Sequence, residues 1–229
     1  MKVSINHCFY LVILTSVIFL IPNIKLVAQN NSQQDNEYRS VIENRATKIL
    51  VKLSITDSTT FFKVRDIIAS QYIGLKNIHE RRENQIKEIK EKNIENKTKT
   101  EEQLKSVQKN TDNQLDKLHK TFLSNLSKHL SPAQIEKVKD GMTYGVLPIT
   151  YKAYLEMIPR LTAEERKYIY DALVEAREHA MDAESSEKKH AWFGKYKGRI
   201  NNYLSARGYD MNKESKDWQE RIKQQQQKK

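Results

Sequence analysis

Apolar residues recur at helical spacing along most of this chain, and no stretch alternates between apolar and polar residues as a half-buried strand would. Two long apolar stripes flank a polar break at residues 93–100, whose only apolar residue is Ile94. Stripes on either side of such a break are typical of an antiparallel helical hairpin. One continuous helix is the alternative, but it would leave both stripes exposed. The chain is therefore predicted to be all-α, with a long antiparallel helical hairpin and a compact C-terminal helical body.

Composition shifts along the chain predict its organisation. We expect a signal peptide at 1–28, a disordered linker at 29–36, a single helical domain at 37–211 and a polar basic tail at 212–229. Within the domain, residues 57–130 form the hairpin and residues 131–211 the aromatic-rich body.

Local helix signals fit these divisions. Asp57 is placed to cap the first hairpin helix. Ser131 with Gln134, and Thr162 with Glu165, have the spacing of capping boxes at two helix starts in the body. Gly141 is expected to end the first of these helices as a left-handed cap.

The N-terminal segment has the marks of a secretory signal. Lys2 precedes an apolar run from Phe9 to Ile21, and the small residue Ala28 follows. A helix of that run spans about 20 Å, against about 30 Å for a bilayer core, which favours cleavage near Ala28 over an uncleaved anchor. The single cysteine, Cys8, excludes a disulfide scaffold. We expect an exported protein, periplasmic or secreted, with no membrane span after signal removal.

The positive charge and the aromatic residues lie in different parts of the chain. The net charge is +11, and most of the excess falls in residues 76–130 and 212–229. Ten aromatic residues fall instead in residues 131–211. Nucleic-acid binding needs cations and stacking rings on one surface. Nucleic acid is therefore not an expected partner, and the charge is assigned to solvated helix faces.

No motif in the sequence indicates an enzyme. The chain contains no GxSxG, HExxH or phosphate-binding loop. Glu175 and His179, like His79 and Glu83, are four residues apart on predicted helices, but a zinc site needs three or four ligands. We interpret both pairs as surface salt bridges. The prediction is a non-enzymatic protein with no catalytic residues, metal or cofactor.

The segment from His190 to Leu204 is the densest in unusual residues. Gly194 and Gly198 share one helix face, which indicates either tight packing against another helix or a platform for a ligand. Flat rings with planar amide and guanidinium donors suit a sugar, whose C–H face and hydroxyls they contact. The candidate sugar-binding residues are Trp192, Tyr196, Arg199, Asn202 and Tyr203, with Tyr144, Tyr151 and Tyr154 on the opposite side of a cleft.

Several blocks of the C-terminal half resemble one family. They are Leu130–Pro132, Gly141–Gly145, Tyr154–Pro159, Glu175–Ala183 and Ser205–Asp210, with Val64–Ile68 and Ile78–Glu80 upstream. Together they are similar to the domain-of-unknown-function family 3826, over roughly residues 38–211. The family is described as sugar-binding, from exported proteins of polysaccharide-degrading bacteria. The resemblance implies a carbohydrate ligand and carries over no catalytic residues.

A second resemblance supports a different function. The helix starts Leu130-Ser131-Pro132-Ala133-Gln134 and Leu161-Thr162-Ala163-Glu164-Glu165 are similar to the repeated motif of small periplasmic helical chaperones of the Spy type. The alternative to carbohydrate binding is therefore a periplasmic chaperone or adaptor that uses the apolar stripes of the long helices.

Overall fold

The computed structural model describes residues 22–92 and 96–227, with side chains from Asn36 onward. Within these residues it contains eight α-helices, a short 3-10 turn and no strand, so the all-α prediction is confirmed. The apolar run of the predicted signal peptide, Phe9–Ile21, lies outside the described residues. Within the described residues, no helix combines the length and the apolar character needed to cross a bilayer.

The helices follow one another with short connections. Their bounds are α1 Pro22–Leu50, α2 Ser58–Lys92, α3 Lys97–Ser127, α4 Pro132–Met142, α5 Val146–Met157, α6 Ala163–Met181, α7 Ser186–Ala206 and α8 Met211–Gln227, and the 3-10 turn is Val51–Leu53. Residues 29–36, predicted as a disordered linker, lie within α1. The chain divides into two units between Ile42 and Glu43, and all contacts described below are within the second.

Helices α2 and α3 form the antiparallel hairpin. Asp57 caps α2 by accepting a hydrogen bond from the Thr60 amide at 2.7 Å. A Cβ on Gly74 would lie 3.0 Å from the Leu118 side chain, and Arg81 donates to Gln114 at 3.0 Å, so residue numbers rise on one helix as they fall on the other. The hairpin core consists of Val64, Ile68, Leu75, Phe122 and Leu126.

The distal half of the hairpin is solvated. From residue 80 to residue 114, Thr111 is the one buried side chain among the described residues. Its hydroxyl donates to the Val107 carbonyl within the same helix. Few apolar side chains are removed from water there, so this part contributes little hydrophobic stabilisation.

Helices α4 to α8 form the body, and both predicted capping boxes begin helices in it. Ser131 with Gln134 starts α4, and Thr162 with Glu165 starts α6, each with reciprocal side-chain to backbone bonds. Such a cap typically stabilises a helix by about 1 kcal/mol, which gives both motifs a structural role. The core side chains are Ile158, Ile169, Leu173, Phe193, Ile200 and Leu204.

The chain reversal between α4 and α5 differs from the sequence prediction. Gly141 lies inside α4, where a Cβ would come 2.7 Å from the Ile49 side chain. The left-handed positions are Tyr144, with φ of 60°, and Gly145, with φ of 68°. Gly141 is therefore needed for close packing, and its prediction as a left-handed cap was wrong.

Candidate functional site

A groove between α5, α7 and α8 is the candidate site, and we call it the α5–α8 groove. Its volume is about 450 Å³. It is lined by Ile149, Thr150, Ala153, Tyr154, Met157, Lys197, Asn201, Met211, Asn212, Ser215 and Trp218. Aromatic and aliphatic walls with a few polar groups are typical of small-molecule sites.

Tyr154 and Asn201 join α5 to α7 at this groove. The Tyr154 hydroxyl donates to Asn201 Oδ1 at 2.7 Å. Burial raises the pKa of Tyr154 to about 12, so the phenol keeps its proton and the bond keeps this direction at neutral pH. Because the Asn201 amide accepts through its oxygen, its two N–H donors are left for other partners. The adjacent side chains Lys197 and Asn212 are exposed.

Trp218 reaches the groove because α8 is fixed at its start and along one side. The Asp210 carboxylate accepts hydrogen bonds from the amides of Asn212 and Lys213, both at 3.1 Å, and so caps the helix. The buried Glu214 pairs with Arg160 through two hydrogen bonds, at 2.9 and 2.5 Å. These contacts fix the helix that carries Trp218, whose partly exposed side chain lines the groove.

A further contact ties α8 to the end of α5. Arg221 donates to the carbonyls of Glu156 and Met157, both at 3.0 Å. Those carbonyls belong to the last turn of α5, where helical partners are lacking and a cation is favourable. Trp218 therefore lies between two anchored turns of α8.

The sequence prediction missed Trp218 and Asn201. Residues 212–229 were predicted as a polar tail, whereas α8 extends to Gln227. Met211, Ser215, Trp218 and Ile222 follow one helix face, and this spacing was the available signal. It is weak because only three of the four residues are apolar. Asn201 differs from its predicted neighbour Asn202 in facing α5, whereas Asn202 is exposed.

Most of the predicted α7 residues contact α6 and lie away from the groove. We call Trp192, Tyr196, Arg199 and Tyr203 the α6–α7 face. Trp192 stacks on His179 with ring centroids 4.4 Å apart. The Tyr203 ring stacks on Tyr168 with a centroid distance of 3.6 Å.

Charged partners complete the α6–α7 face. The buried Tyr196 donates to Glu175 at 2.5 Å, and burial followed by this bond raises the pKa of Tyr196 to about 12. Arg199 lies 4.6 Å from the Tyr196 ring centroid and 3.6 Å from Glu175. The ring faces and charges of this surface are therefore largely engaged by α6, which leaves less of them for a ligand.

The three predicted tyrosines of the opposite side are separated from one another. Tyr144 is 48% exposed and stacks on His190 of α7, with centroids 5.6 Å apart. Tyr151 meets Tyr170 of α6 edge to face, at 5.3 Å. Of the eight predicted site residues, Tyr154 is the one that lines the α5–α8 groove.

Neither predicted helix pair of acid and histidine forms part of a metal site. Glu175 is bonded to Tyr196, and His179 is stacked on Trp192. His79 is buried and contacts the Asp182 carbonyl at 2.8 Å, so its interpretation as a surface pair with Glu83 was wrong. Within the described ranges, no three His, Cys, Asp or Glu residues are arranged to hold a metal ion.

Comparison with known proteins yields one finding. A family model described as "Protein of unknown function (DUF3826)" matches residues 39–224. The match extends into α8 as far as residue 224 and includes every residue that lines the α5–α8 groove. No curated protein matches the chain.

Proposed function

This chain belongs to the DUF3826 family, and we propose that it is an exported, non-catalytic protein that binds carbohydrate in the α5–α8 groove. The observation that supports this most is that Trp218 lines the same groove as the amide side chains of Asn201 and Asn212. An aromatic face covers the C–H surface of a sugar ring, and side-chain amides bond its hydroxyls. The groove volume lies within the usual range for small-ligand sites.

The surrounding structure supports binding without rearrangement. Tyr154 fixes the orientation of Asn201, and the Arg160–Glu214 pair fixes the helix that carries Trp218. A site whose groups are already held in place loses less conformational entropy when a ligand binds. We propose a non-catalytic role because the described lining of the groove contains no carboxylate, histidine or cysteine, and none of the described hydrogen bonds joins Lys197 to the hydroxyl of Thr150 or Ser215.

Export is supported by the leader alone. Lys2, the apolar run Phe9–Ile21 and Ala28 have the order of a secretory signal. N-terminal sequencing of the protein recovered outside the cytoplasm checks this, with Gln29 expected as the first residue. A protein that retains Met1 would contradict cleavage.

The two tryptophans of the chain allow a matched test of the site. Isothermal titration of the purified protein with a panel of plant and host polysaccharides should detect binding. Trp218→Ala should weaken it at least tenfold, because contact between the sugar C–H face and the aromatic ring is lost, and Asn212→Ala should weaken it without disturbing α8. Trp192→Ala removes the same ring from the α6–α7 face and should leave the affinity unchanged.

Two results would contradict this proposal. One is the absence of binding to every polysaccharide by a protein whose circular dichroism spectrum is helical. The other is a loss of affinity in Trp192→Ala with none in Trp218→Ala, which would place the ligand on the α6–α7 face.

A further inference from the structure

The α5–α8 groove is lined by no acidic residue among those described, although the chain contains many basic and acidic residues. The protein carries 40 basic and 29 acidic residues, yet the described lining of the groove has no acidic residue and one basic residue, Lys197. A ligand in the groove therefore meets a positive charge with no carboxylate beside it.

The groove presents hydrogen-bond donors on one cation and two amides. Lys197 offers up to three N–H groups, and the amides of Asn201 and Asn212 offer two each. Of the two amide oxygens, Asn201 Oδ1 already accepts the Tyr154 hydroxyl, while Asn212 Oδ1 and the hydroxyls of Thr150 and Ser215 remain as acceptors. These groups suit neutral sugar hydroxyls, which both donate and accept, whereas the Lys197 ammonium only donates and favours an anionic acceptor.

Lys197 differs from its cationic neighbours on α7. The Lys195 ammonium lies 4.9 Å from the Trp192 ring centroid, and Arg199 contacts Tyr196 and Glu175. Among the described residues, no carboxylate lies within ion-pair distance of Lys197. Its charge is thus available to a ligand at the groove.

We propose that the ligand is an acidic polysaccharide, whose sugar units carry a carboxylate or a sulfate. This inference rests on the proposed function and specifies its substrate class. The anionic group binds Lys197, the Asn201 and Asn212 amides bond neighbouring oxygens, and Trp218 covers the ring face. Charge-assisted bonds of this kind are about twice as strong as neutral ones.

Matched ligands and matched lysines test the inference. The ligand pairs are polygalacturonate with its fully methyl-esterified form, and dextran sulfate with dextran, titrated at about 0.15 M salt. We expect the acidic member of at least one pair to bind tenfold or more tightly than its neutral partner, and the responding pair distinguishes carboxylate from sulfate. Lys197→Gln should abolish that preference. Lys195→Gln removes the same charge two residues away and should retain it.

The outcomes separate this inference from the function on which it rests. Equal affinity for acidic and neutral members overturns the acidic ligand while leaving carbohydrate binding intact. An equal loss in Lys195→Gln and Lys197→Gln also overturns it, because attraction to the net charge of the protein then explains the preference. Failure to bind either member of both pairs and every polysaccharide of the panel overturns both proposals.

Discussion

His119 joins the hairpin to the body through two carboxylates. Its Nδ1 lies 2.9 Å from Asp182 Oδ2 and its Nε2 lies 3.3 Å from Glu178 Oε2, so an imidazolium on α3 donates to two carboxylates on or next to α6. The bonds to Asp182 and then Glu178 raise the pKa of His119 to about 9. Burial opposes the charged form of Glu178, but its contacts with His119, Lys139 and Arg177 outweigh this and lower its pKa to about 2.

The stabilisation from His119 is expected to depend on pH. A raised pKa means that the folded protein holds the proton more tightly, so the contribution is complete below about pH 6.5 and is lost as the pH rises through about 9. His119→Gln should lower the free energy of unfolding by about 2 kcal/mol at pH 6 and by much less at pH 10. Urea unfolding of both proteins at pH 6, 8 and 10 measures the difference. A deficit that stays constant over this range would show that the imidazolium contributes nothing.

Single residues were predictable where one local rule governs them. Ser131, Thr162 and Asp57 act as caps because a short side chain and the first helical amides suffice, and all three were predicted. Tyr144 was not predicted as a left-handed residue, because glycine is the usual choice and its stacking on His190 involves a helix 46 residues away. Such a pairing depends on tertiary contacts that the sequence pattern does not contain.

At the scale of elements, α7 shows why two glycines can occur in one helix. The sequence left open whether Gly194 and Gly198 pack tightly, and the structure excludes this, since a Cβ on either would meet nothing within 4 Å. Glycine costs up to about 1 kcal/mol relative to alanine in a helix interior. The helix bears that cost twice on an exposed surface, so the two glycines are not explained by helix packing.

Alanine substitutions should therefore have opposite effects in two helices. Gly194→Ala and Gly198→Ala should each raise the free energy of unfolding by about 0.5–1 kcal/mol, because the backbone entropy cost falls and no clash arises. Gly141→Ala should lower it by about 1–3 kcal/mol, because the new methyl group would press on Ile49. Chemical denaturation of the three variants checks both signs. Destabilisation by Gly194→Ala would contradict the open surface described for α7.

The positions of the helices were easier to predict than the contacts between them. The long stripes and the capping boxes locate α2 to α7 because a 3.6-residue period and a cap are local properties. Helix α8 was missed because its position depends on the pairing of Glu214 with Arg160, between α5 and α6, and on the bonds of Arg221 to the end of α5. The pairings of Glu214 and Arg221 join residues more than 50 positions apart, and a mostly polar segment gives little sign of them.

At the scale of the whole molecule, aromatic residues divide between packing and the proposed site. Most of the aromatic residues lie in residues 131–211, and of these Tyr154 lines the groove, whereas Trp218 comes from the segment that follows. The composition does not distinguish rings that stack on α6, such as Trp192 and Tyr203, from rings that line a groove. That distinction depends on which side of α7 faces α6 and which faces α5.

The central claim, that carbohydrate binds beside Trp218, is tested most directly by fluorescence from single-tryptophan proteins. Trp192→Phe leaves Trp218 as the sole tryptophan, and Trp218→Phe leaves Trp192. With the tightest-binding polysaccharide of the panel, the first protein should show a shift in emission and reduced quenching by acrylamide, because the ligand covers the Trp218 ring. The second should show neither change. A response from Trp192 with none from Trp218, or no response from either, would contradict the claim.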